Sequence, residues 1–133
     1  MADLTITAKS VRPLPNALVR DFIAGGTVNV GDLVYVDSNG KVQQANASAA
    51  GTAVAIGIAV AVGSLGATAA ASGDVVSVVL VGAVNGFSSL TPGVKVYVSN
   101  TAGKCADAAG TVSKQIGLTI ATDTILLLHT PAA

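Results

Sequence analysis

Apolar and polar positions alternate most clearly between Gly31 and Ala45, GDLVYVDSNGKVQQA, and the pattern returns between Gly93 and Ala108 as GVKVYVSNTAGKCADA. In a strand, successive side chains point to opposite faces, so the spacing places Val34 and Val36 on one face and Leu33, Tyr35 and Asp37 on the other. The second copy sets Val94, Val96 and Val98 against Lys95, Tyr97 and Ser99. The two copies are therefore expected to share one register, because a slip of one residue exchanges the faces. Between the arms stand Ser38-Asn39-Gly40 and Asn100-Thr101-Ala102-Gly103, with the Asn and Gly that tight hairpins need for positive φ.

The correspondence runs on. Ile56-Gly57-Ile58-Ala59-Val60-Ala61 is answered by Ile116-Gly117-Leu118-Thr119-Ile120-Ala121, and each is followed by an acid and an apolar run, at Asp74 and at Asp123. A unit of strand, hairpin, strand and apolar strand is thus expected twice, over about 26–82 and 88–129. Neither half is large enough to bury a core alone, so the halves should close on each other. The runs Asp74–Val81 and Ile125–Leu128 are apolar on both faces, which calls for two packed layers, or a core on one side and a subunit on the other. Asn85-Gly86 reads as a further turn. No stretch shows a sustained helical period, and the expected class is all-β, a small barrel or sandwich.

Residues 1–16 depart from the pattern. Leu4-Thr5-Ile6-Thr7 alternates like a strand, but Arg12-Pro13-Leu14-Pro15 imposes an extended path and removes two backbone donors. The segment is either a frayed tail or an extended arm that adds a strand to a neighbour, ahead of a single β domain at 17–133. As an arm it offers Leu4, Ile6, Lys9, Arg12 and Leu14 for contact. Tyr35 and Tyr97, matched in the two copies, are further contact candidates or amphipathic rim residues.

Composition narrows the function. The apolar content is Val, Ala, Ile and Leu with fifteen Gly and no Trp, which favours strands and turns. Charged residues make up 11% of the chain, far below an ordinary soluble domain, so part of the surface is expected to be covered by copies of itself or a partner. Seven basic residues balance seven acidic ones, which argues against nucleic acid as a partner. Between Lys41 and Asp74 there is no charge, yet the run is broken by Gly57, Gly63, Ser64 and Gly66, and a buried strand from about Val54 to Val62 is expected rather than a membrane span. The start, MADLTITAKSVRPLPN, lacks a basic segment followed by an apolar one, so no secretion signal is expected.

Candidate chemistry is sparse. Cys105 and His129 could form a nucleophile–base pair, but Cys105 occupies the repeat position of Val42 and reads as a small apolar residue. There is no Glu, and Asp32, Asp37 and Asp74 fall at turns or strand ends, where Asp commonly bonds its own backbone. No cofactor, metal or catalytic set is expected, and the chain reads as no enzyme.

Gly26-Thr-Val, Gly31-Asp-Leu-Val-Tyr-Val, Gly40-Lys-Val, Ile56-Gly-Ile-Ala-Val-Ala, Gly73-Asp-Val-Val-Ser-Val, Gly93-Val-Lys-Val-Tyr-Val and Ile116-Gly-Leu resemble the small capsid decoration (cement) proteins of tailed bacteriophages. The resemblance covers roughly 17–128. It implies a barrel-like domain with an N-terminal arm, made in the host cytoplasm and seated on the outer surface of the virion. It further implies a homotrimer whose partner is the major capsid protein. Two other functions compete: the base of a head or tail fibre, which calls for a further stalk, and a small β-barrel enzyme or ligand-binding module, which calls for a polar pocket.

Overall fold

A computed structural model describes residues 3–7, 10–62 and 68–128. The first strands are β1 (Thr5–Ile6), β2 (Arg12–Pro13), β3 (Leu18–Ile23), β4 (Val28–Asn29) and β5 (Leu33–Val36). They are followed by β6 (Val42–Gln44), β7 (Gly57–Val62), β8 (Ala69–Ala70), β9 (Val75–Asn85) and β10 (Phe87–Ser88). The chain ends in β11 (Lys95–Val98), β12 (Cys105–Ala106), β13 (Gln115–Thr119) and β14 (Thr124–Leu127). The protein is all-β, its antiparallel sheet curled into a half-barrel. Among the described residues no helix is long and apolar enough to cross a membrane.

β9 is the spine. The main sheet runs β12-β11-β13-β14-β9-β7-β5-β6, so the first hairpin reaches β9 through β7 and the second through β13 and β14. The first stretch of β9 pairs with β7 and β3, and Gly82 to Asn85 pair with β14, where β2 takes Val84 and Asn85 on the other side. Each face of β9 contributes side chains to a core. Val76 and Val78 join a cluster with Val28, Val34, Val42 and Ala59, whereas Val79 and Val84 join the larger cluster around Leu33, Ile58, Val96, Val98 and Ile125. That accounts for the doubly apolar sequence, with Val75 and Val81 left exposed.

The hairpins pair as their alternation expects: Val36 faces Val42 across the first and Val98 faces Cys105 across the second. Val34 lies opposite Gly57, and Val96 opposite Gly117. Their buried faces differ, however. In β11 Val96 and Val98 enter the main core and Lys95 is exposed. In β5 Leu33 enters the main core, Val34 turns to the second cluster, and Val36 is 41% exposed. The expected common inner face therefore does not extend to Val36, because β5 is packed on both sides and its last residue lies beyond both clusters.

The two hairpins lock together at the second turn. Gly103 N–H donates to Ala45 O at 2.7 Å, and Leu33 N–H donates to Gly103 O at 2.8 Å. Gly103 has φ +77°, and a Cβ there would stand 2.6 Å from Asp32 Cγ. Glycine is needed for both reasons.

Three other expectations change. Asn85-Gly86 is no hairpin turn; β9 continues past Gly86 into β10. The strand expected from Val54 begins at Gly57, with Val54 58% exposed, and the small-residue segment after it contains β8, which pairs with β4. The third concerns residues 3–7 and 10–14, which lie against their own domain. Leu4 N–H donates to Cys105 O, Thr7 N–H to Gly86 O and Leu14 N–H to Ala83 O, while β1 pairs with β10. Val11 is fully buried in the main core. The prolines fit without cost to the ladder. Pro15 and Asn16 are the central residues of a turn closed by Ala17 N–H to Leu14 O, and Asn16 takes φ 71°, the left-handed state that Asn tolerates after Pro.

Candidate interaction surface

The seven contact candidates do not form one surface. Leu4 and Ile6 are half-buried and pack against the main core, turned toward their own domain. Leu14 is half-buried, with its N–H bonded to Ala83, and Arg12 is exposed, its Nη1 donating to Val11 O at 2.7 Å. Lys9 lies outside the described residues. Tyr35 packs on the main core, and Tyr97 is half-buried opposite Ala106 and Gln115.

Asp32 and Asp37 hold turns. Asp32 is 3% exposed; its Oδ2 accepts from Asn29 N–H at 2.8 Å and from Gln44 Nε2 at 2.6 Å. Burial pushes its carboxyl above the ordinary value, outweighing those hydrogen bonds and the Lys104 charge, which pull it down. Asp37 accepts from Gln43 Nε2, Lys41 N–H and Asn39 N–H, and these bonds hold its carboxyl below the ordinary value. Ser99, fully buried, donates its hydroxyl to Asp3.

Cys105 lies in the main core, where burial pushes its thiol up to about 12, with the Asp32 charge adding to the shift. A thiol so placed holds its proton at neutral pH and is no nucleophile. His129, its expected partner, lies outside the described residues. Among the described residues no three His, Cys, Asp or Glu side chains are placed to hold a metal ion. A pocket of about 110 Å³ opens between Leu4, Leu90, Val94, Asp107 and Thr119. The Thr119 hydroxyl is already bonded there, donating to Thr91 O at 2.5 Å and accepting from Val94 N–H at 2.9 Å.

The surface that stands out is β3 with its neighbour on β9. Leu18 is 57% exposed, and Val19, Ile23, Val75 and Val81 are each above 40%. The register sets Leu18 opposite Val81 and Ile23 opposite Val75, so the apolar side chains form two patches. Between them Asp21 accepts from Ser77 Oγ at 2.7 Å, and the Arg20 guanidinium stands 5.6 Å from the Phe22 ring centroid. Sequence alternation missed this surface because Leu-Val-Arg-Asp-Phe-Ile does not alternate. The signal was the doublet order itself, apolar pairs flanking a charged pair, which suits a strand exposed on both faces.

Comparison with protein-family models, with curated proteins and with solved structures finds no match for this chain.

Proposed function

We propose that this chain is a structural virion protein that decorates a tailed-phage capsid, clamping neighbouring major capsid subunits from the outer surface, and that it carries no catalytic activity. The observation that carries the reading is the exposed apolar surface of β3 and β9 on a domain whose core is already filled elsewhere. Apolar side chains left out of a complete core mark a contact. The motif resemblance supplies the partner. A clip that binds assembled shell and not free subunits stabilises the shell by mass action, so many modest contacts suffice. The working unit is a homotrimer, with Val54 and Leu128, both exposed, available for contacts between copies.

The test is imaging of purified virions, with density for this chain sought on the outside of the shell. The expected result is three copies grouped over junctions between capsid subunits, and shells stripped of the chain should disrupt at lower temperature. Density confined to a fibre or the tail, or stripped shells of unchanged stability, would overturn the reading.

A further inference from the structure

We infer that the outer edge of β3 is an acceptor for an extended strand donated by a different protein, with an acid opposite Arg20 and a base opposite Asp21. β3 is six residues long and, among the described residues, pairs only with β9. Its residues carry no Pro or Lys, two of the devices that discourage strand addition, and its charges are one of each sign. The other edges are short or occupied: β6 is bridged by Ala24, β12 by Asp3, and β2 contains Pro13. Among the described residues there is therefore one long open edge and no second edge of comparable length to fill it in a head-to-tail ring.

Charge disfavours a second copy of β3. A two-fold pair of identical strands is antiparallel and keeps each face on its own side, so opposed residues must both be odd or both be even in number. Arg20 then meets Arg20, or Asp21 meets Asp21, and like charges directly opposite destabilise a ladder. A further shift avoids this only by leaving about half the strand unpaired. A strand from another protein has no such constraint. An antiparallel donor with a base followed by an acid satisfies both charges, and β-branched flanks cover Val19 and Phe22. This rests on the proposed function only for who donates the strand: a capsid subunit.

The probe is the peptide acetyl-Thr-Val-Lys-Glu-Val-Thr-amide, which antiparallel sets Lys opposite Asp21 and Glu opposite Arg20; the control exchanges Lys and Glu. With the full chain, the first peptide should slow amide exchange across residues 18–23 and bind about threefold to tenfold tighter than the control. The double variant Arg20→Asp, Asp21→Arg, with its amide spectrum otherwise unchanged, should reverse that preference. Absence of protection by either peptide overturns the inference. So does a preference that survives the reversal, or concentration-dependent protection of residues 18–23 in the chain alone. Capsid shells separate the two proposals. Shells that bind wild type and the reversed variant equally remove the β3 edge as the strand acceptor and leave the capsid reading, which rests on the apolar side chains of β3 and β9, standing, whereas peptide binding without shell binding removes the capsid reading alone.

Discussion

Gly57 lies directly against the carbonyl of Val79: a Cβ on Gly57 would overlap that oxygen and stand 2.9 Å from the carbonyl carbon. The corresponding Gly117 meets the carbonyl of Leu126 in the same way, with the carbon at 3.0 Å. Backbone cannot swing aside as a side chain end can, so Gly57→Ala and Gly117→Ala should each destabilise the domain by about 3 kcal/mol or more. Gly51→Ala, with open space and an ordinary φ, should stay within about 0.5 kcal/mol of wild type. Chemical denaturation of the three variants checks the order.

Val98 and Val36 separate the two copies. Val98 is fully buried and Val36 is 41% exposed. Val98→Asp should cost about 4 kcal/mol or more and unfold the domain, because a carboxylate there has no water and no partner. Val36→Asp should leave the fold intact. Circular dichroism melts of both variants test this, and equal losses would contradict the packing of β5.

Cys105 should be silent. With its thiol pushed up to about 12 and its side chain in the core, a thiol reagent at neutral pH should label it only as fast as the protein unfolds. Labelling followed by mass spectrometry, with and without denaturant, measures the difference.

Residues 3–7 and 10–14 should behave as part of the fold. Val11 is fully buried, and its Cα would stand 2.8 Å from a Cβ on Gly86, so the segment is seated against glycine backbone. Val11→Ala should cost about 2 kcal/mol. Deletion of residues 2–15 should lower the melting temperature sharply. An unchanged melt would show a dispensable arm.

Asp32 should give stability a pH dependence of definite sign. Its folded pKa lies above the unfolded value near 3.8. Below that value both states hold the proton and burial carries no ionic penalty; as pH rises through the folded pKa, the buried carboxylate ionises and stability falls. Asp32→Asn keeps an acceptor for Asn29 and Gln44 and removes the ionisation. Relative to wild type the variant should therefore gain stability as pH rises above about 3.8. Paired thermal melts across that range would show a flat or opposite difference if burial did not dominate.

Much of the local structure was legible in the chain. Period-two alternation located both hairpins, and Asn with Gly located their turns. The position of Cys105, matching Val42, read as a small apolar residue, and it is buried in the main core opposite Val98. These features depend on near neighbours in sequence: a strand's faces and a turn's φ are set within a few residues.

The tertiary structure decided which face was inside and where the first residues went. Leu33-Val34-Tyr35-Val36 is equally compatible with either inner face, and the choice fell to β9, whose two faces give Leu33 one cluster and Val34 the other. The Arg12-Pro13-Leu14-Pro15 stretch looked unfit for a sheet because prolines lack donors. Space over Gly82 and Gly86, where a Cβ would meet Ala17 and Val11, and acceptors at Ala83 and Gly86 instead hold it in place. Those partners lie some seventy residues away along the chain. Local pattern carries no information about such contacts, because burial is a property of what the folded chain brings alongside.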